Sequence, residues 1–138
     1  MTLGAINHVA LTVSNLHEAE SLLTPVLRFL GYEKAEQLEG LSVWVSGATG
    51  TALNLWQASD ELQAHEHKRY APGLHHLAFN AASRGQVDDL YALLRERGVK
   101  VLDAPAEYDY APGYYAVFFE GPDGMKFELA HIPGLQVE

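Results

Sequence analysis

The chain has no cysteine, which excludes disulfides, thiolate metal ligands and cysteine nucleophiles. Any metal must therefore be held through nitrogen and oxygen. Positive charge is scarce as well: nine Lys and Arg stand against eighteen Asp and Glu, for a formal net charge of −9. A surface field of that sign repels phosphate backbones and anionic lipid, so nucleic-acid binding and membrane adhesion are set aside. Long apolar runs are also missing. No stretch approaches the roughly 18 residues that span a bilayer, and the first residues carry no basic segment leading into an apolar signal core. A cytoplasmic protein is expected. What remains suffices for a folded core, since 48% of the 138 residues are apolar and the length is that of one domain.

The chain repeats itself, and a repeat decides architecture before single elements do. Ile6-Asn7-His8-Val9-Ala10-Leu11 lies over Leu74-His75-His76-Leu77-Ala78-Phe79. Trp44-Val45-Ser46-Gly47-Ala48-Thr49-Gly50 lies over Phe118-Phe119-Glu120-Gly121-Pro122-Asp123-Gly124, and Leu53-Asn54-Leu55 over Phe127-Glu128-Leu129. Each half reads as strand, helix and three strands, an α+β chain of two βαβββ modules. The first module is expected at about 4–58, a polar linker at 59–73 and the second module at 74–132, together forming a single domain over 1–138.

Helix signals recur in both halves. Asn15 with Glu18, and Ser83 with Gln86, have the spacing of capping boxes. Leu16, Ala19, Leu23, Val26, Leu27 and Leu30 follow at helical period in one half, and Val87, Leu90, Tyr91 and Leu94 in the other, with Gly31 and Gly98 as stops. Pro25 predicts a kink or break near Thr24. The other strands are expected near 33–39, 41–47, 51–58, 100–107, 113–120 and 125–132.

Side chains alternate across a strand, so residues two apart share a face. If Val9, Leu11 and Val13 lie under the helix, His8, Ala10 and Thr12 face the other way; the same rule puts His76, Asn54 and Glu128 on that open side. Trp44, Trp56, Tyr114 and Phe118 are expected to wall it, giving an aromatic pocket with a few convergent polar groups. Two imidazoles and one carboxylate form a facial ligand set that leaves positions for water or a chelating substrate, and iron(II), manganese(II), zinc or nickel all suit those donors. His8, His76 and Glu128 are the expected metal ligands, with Asn54 lining the pocket. His75 is expected on the covered side as a structural residue, His131 on the face opposite Glu128, and the His65-Glu66-His67 triplet in solvated linker.

At these residues the chain resembles the vicinal-oxygen-chelate superfamily, which holds glyoxalases, bleomycin-resistance proteins and dioxygenases. The matching phrases are Ile6-Asn7-His8-Val9-Ala10-Leu11-Thr12-Val13, Leu74-His75-His76-Leu77-Ala78-Phe79 and Gly121-Pro122-Asp123-Gly124-Met125-Lys126-Phe127-Glu128-Leu129. The last is the most specific, a Pro-Asp-Gly turn with the metal-binding glutamate four residues past its glycine. The resemblance implies curved mixed sheets around a cleft and ligands at His8, Asn54, His76 and Glu128. It also implies a homodimer, and a metal that holds two neighbouring oxygens of a small substrate.

Asn54 departs from the pattern. Glyoxalase I-like members carry glutamate or glutamine there, and an amide has no useful basicity, so classical glyoxalase I chemistry is disfavoured. Lyase or dioxygenase chemistry remains. The alternative is a non-catalytic drug-binding protein of the bleomycin-resistance type, for which net acidity and two tryptophans speak.

Overall fold

The computed structural model describes residues 2–135. Residue 1 and residues 136–138, the ends of the expected domain span, lie outside the described residues. The chain divides into two compact units, 1–66 and 67–138.

In the first unit, β1 (His8–Val13) leads into α1 (Leu16–Phe29), followed by β2 (Tyr32–Leu38), β3 (Leu41–Ser46) and β4 (Ala52–Gln57). The sheet runs β1-β4-β3-β2, with β1 parallel to β4 and the other pairs antiparallel. The second unit repeats this plan. It comprises β5 (Leu77–Asn80), α2 (Arg84–Glu96), β6 (Val101–Glu107), β7 (Tyr115–Glu120) and β8 (Lys126–His131), in sheet order β5-β8-β7-β6. The duplicated βαβββ reading is therefore correct. No helix among the described residues is long and apolar enough to cross a membrane.

Both helices start where the sequence places them. The Asn15 side chain accepts from the Glu18 backbone N–H at 3.0 Å, and Ser83 Oγ accepts from Gln86 N–H at 3.2 Å. Each bond satisfies one of the donors that a first helical turn leaves open. Leu16, Ala19, Leu23, Val26 and Leu27 bury one face of α1, and Val87, Leu90 and Leu94 one face of α2. Burial of each leucine or valine contributes about 1.5–3 kcal/mol. Pro25 does not break α1, which runs on to Phe29; the proline removes one backbone donor, and the buried stripe continues past it through Val26 and Leu27.

The β3–β4 and β7–β8 hairpins have connections of equal length, but their turns close one residue apart, with large consequences. In the first unit Ser46 N–H bonds Thr51 O and Gly50 N–H bonds Ser46 O, leaving Gly47, Ala48, Thr49 and Gly50 in the turn. In the second, Gly121 N–H bonds Met125 O, leaving only Pro122, Asp123 and Gly124. Four turn residues against three shift the pairing, so that Val43 stands opposite Asn54 while Phe118 stands opposite Glu128. A one-residue slip turns every side chain of a strand to its other face. Trp44 therefore pairs with Leu53 and is 0% exposed, a core residue under the helix. The expectation that it walls the open face is corrected: constant sequence offset aligned Trp44 with Phe118, but its structural counterpart is Phe119, which pairs with Phe127.

Candidate functional site

In the second unit, β5 and β8 run parallel with Ala78 beside Glu128, and β7 brings Phe118 to the other flank of Glu128. Lys126, Glu128 and Ala130 share one face of β8, as alternation requires. That face is not open. Leu102, Tyr108, Tyr114 and Ile132 pack on a small apolar cluster of Ala116, Phe118 and Ala130. Glu128 is consequently 1% exposed although it lies opposite the helix-covered side.

A buried carboxylate has to be compensated. Glu128 has two partners. The Tyr114 hydroxyl donates to Oε2, and His76 Nε2 stands 3.2 Å from Oε1. Burial, with the bond to Glu128 and its charge, raises the Tyr114 pKa well above the ordinary 10.0, which keeps its proton on oxygen as a donor. Tyr114 lies one residue before β7, at the end of a loop closed by Tyr108 N–H to Tyr114 O at 3.0 Å and Tyr114 N–H to Ala111 O at 3.1 Å. Tyr114, expected in a strand as a wall of the pocket, lies instead just before β7, with its hydroxyl committed to Glu128.

His76 sits just before β5, and its Nδ1 lies 2.7 Å from His75 Nδ1. Such a contact needs one proton between the two nitrogens. When His75 supplies it, His76 Nε2–H donates to Glu128 Oε1 across 3.2 Å. When His76 supplies it, its Nε2 lone pair faces Oε1, and the two atoms would then be donors for one cation. His75 is exposed, not on a covered side, and it also meets Tyr70 edge-on at 5.3 Å. His131 Nδ1 lies 3.1 Å from Ala81 O, a structural contact.

In the first unit, His8, Ala10 and Thr12 are exposed on β1 while Leu11 and Val13 are buried. His8 Nδ1 is 2.8 Å from Asn7 Oδ1, an acceptor, so the Nδ1 proton is fixed there and Nε2 keeps its lone pair. Asn54 lies next to Ala10 in register, and its Oδ1 is buried with no hydrogen-bond partner. An acceptor in that condition calls for a donor or a cation. Trp56, two residues on, is 46% exposed on the same face.

The structure thus brings together His76, Glu128, Tyr114 and Phe118 in one unit, and Asn54 and Trp56 on one sheet face of the other, with His8 on the same face of the adjacent strand. Among the described residues no group of three or more His, Asp or Glu side chains gathers into a ready metal cage, the His65-Glu66-His67 triplet included. Sequence reasoning missed Tyr108, Leu102 and Ile132, which pack on the Ala116, Phe118 and Ala130 cluster; the three tyrosines of Tyr108-Asp109-Tyr110-Ala111-Pro112-Gly113-Tyr114 were the visible signal for the first of them.

Comparison with known proteins agrees with this fold. A family model described as the Glyoxalase/Bleomycin resistance protein/Dioxygenase superfamily matches residues 5–129. The Bacillus subtilis (strain 168) protein YqjT is 33% identical over 129 residues, covering 90% of this chain and 96% of its own. A 2-epi-5-epi-valiolone epimerase from Actinomyces sp is 33% identical over 152 residues, covering 94% of this chain and 80% of the epimerase. Among solved structures, a candidate glyoxalase from Bacillus halodurans superposes with a TM-score of 0.82 at 34% identity, covering 94% of this chain and 96% of that one. With the repeated βαβββ plan and the Pro-Asp-Gly turn leading to Glu128, the chain belongs to the glyoxalase/bleomycin resistance protein/dioxygenase superfamily.

Proposed function

We propose that this chain is a divalent-metal-dependent enzyme of the isomerase or lyase kind, acting on a small molecule with two adjacent oxygens. His76 and Glu128 are two of its ligands and His8 is the third. One observation carries the reading: a carboxylate that is 1% exposed, with a histidine Nε2 3.2 Å from one of its oxygens. The donors are nitrogen and oxygen, which suits Fe(II), Mn(II), Zn(II) or Ni(II). When bound, such an ion supplies Lewis acidity to the adjacent oxygens of a substrate, where negative charge develops.

The chain's own residues supply the rest. Asn7 fixes the His8 tautomer, leaving Nε2 available. Asn54 Oδ1, buried and unpartnered, accepts a hydrogen bond from a substrate hydroxyl or joins the ligand set. Trp56 offers an exposed apolar ring on that face. The epimerase among the relatives favours isomerase chemistry. Asn54, an amide, cannot act as a base, so classical glyoxalase I activity stays disfavoured. The domain is the whole chain, 1–138, and the active species is a homodimer.

The test is metal analysis of purified wild type beside His76→Ala and Glu128→Gln, together with turnover assays. The substrates are catechols, hemithioacetals and cyclic hydroxyketones, each with and without air. Wild type is expected to retain a divalent ion that both variants lose, and to turn over a hydroxyketone independently of oxygen. Equal metal content in all three proteins would sink the site. Oxygen-dependent cleavage of a catechol would move the reading to a dioxygenase, and tight ligand binding without metal or turnover to a sequestering protein.

A further inference from the structure

Glu128 presents its two oxygens differently, and the difference is built by one loop. Oε2 receives the Tyr114 hydroxyl, whereas Oε1 faces His76 Nε2. We propose that Tyr114 is a positioning residue that ties down Oε2, so that Glu128 offers the single oxygen Oε1 to the ion it shares with His76. This rests on the metal-binding reading above.

A carboxylate with both oxygens free can rotate about its last torsion or grip a cation through both. One whose second oxygen already accepts a strong hydrogen bond is held in orientation and binds through the first. The donor here is itself immobilised. Two backbone bonds close the loop around Tyr114. Its ring meets Tyr110 edge-on at 5.2 Å and Tyr108 edge-on at 6.2 Å. Gly113, at φ +74°, lets the chain pass where a β-carbon would stand 3.0 Å from Pro133. Satisfying a buried carboxylate requires only some donor nearby. A loop with a glycine-dependent backbone and three interlocked tyrosine rings specifies where that donor stands.

The experiment compares metal-free wild type with Tyr114→Phe, which removes the hydroxyl and keeps the ring, by calorimetric titration with cobalt(II) and by the visible spectrum of the cobalt form. Cobalt affinity is expected to fall about 10- to 100-fold. The visible bands are expected to change in position and intensity as Glu128 moves from one bound oxygen to two, which a merely structural role would not produce. Tyr110→Phe, which keeps the ring against Tyr114 and leaves the Tyr114 hydroxyl on Glu128, is expected to keep the wild-type constant and spectrum. Wild-type cobalt affinity and spectrum in folded Tyr114→Phe would overturn the proposal while leaving the metal reading intact. Failure of wild type itself to take up cobalt would overturn both. Should Tyr114→Phe not fold, Gly113→Ala is the second variant. It keeps the hydroxyl but strains its loop, and weaker cobalt binding supports the proposal while unchanged binding and spectrum overturn it.

Discussion

At the scale of single residues, the site depends on groups whose neighbours leave them no freedom. Gly121 is an example. A β-carbon there would fall 1.8 Å from Phe127 Cε2, inside any permissible contact. The ring cannot retreat, because it packs at 5.7 Å from Phe119 and 6.4 Å from Phe79 and is almost fully buried. Gly121→Ala is therefore expected to destabilise the fold by about 1–3 kcal/mol, the usual penalty for overpacking, measured as a lowered urea midpoint. An unchanged midpoint would show that the ring moves freely. Gly121 stood out in the sequence as part of a turn, but its reason is a neighbouring ring and not a backbone angle, and no reading of one strand reveals that. Glu128 shows the same limit. Its place between Phe127 and Leu129 announced a carboxylate in apolar surroundings, while the tyrosine that holds it comes from a loop 14 residues earlier.

At the scale of elements, capping, period and turn chemistry are local, so the sequence exposes them. Both helix starts and the order of strands in each half were legible for that reason. The caps allow a direct check: Asn15→Ala and Ser83→Ala each remove one acceptor from a first helical turn and are expected to cost about 1 kcal/mol. They lie in separate units, so the double variant should lose the sum within about 0.5 kcal/mol in chemical denaturation. A markedly non-additive result would mean that the two helix starts are energetically coupled, and a single variant of unchanged stability that its cap contributes nothing. Pairing register is different, because it depends on how a turn closes. Ser46 N–H reaching Thr51 O in one hairpin, against Gly121 N–H reaching Met125 O in the other, is decided by turn conformation in segments of equal sequence length. That choice sent Trp44 into the core and left Phe118 beside Glu128, although the sequence offset makes them equivalent. A face assignment carried from one repeat to the next by counting therefore fails once hairpin closures differ in parity.

At the scale of the whole molecule, the question is whether His8, in the first unit, and His76, in the second, serve the same ion. Linkage turns that into a stability measurement. A ligand that binds only the folded state at 100 times its dissociation constant adds about 2.7 kcal/mol, which for a chain of this length raises the melting temperature by roughly 10 °C. Metal-free wild type titrated with Mn(II) or Ni(II) should show that rise. If both imidazoles hold one ion, His8→Ala and His76→Ala each abolish most of the shift, and the double variant loses no more than either single one. Two groups acting on one bond are non-additive in this way. If each histidine binds its own ion, each single variant keeps part of the shift and the losses sum in the double variant. A full shift surviving in His8→Ala, with none in His76→Ala, would confine the site to the second unit and remove His8 from the ligand set. The apo melting temperatures supply the control: His8 is exposed, and its substitution should lower them by no more than a few degrees. His76→Ala also takes a partner from the buried Glu128 and is expected to lower them further, so each shift is read against its own variant's metal-free value.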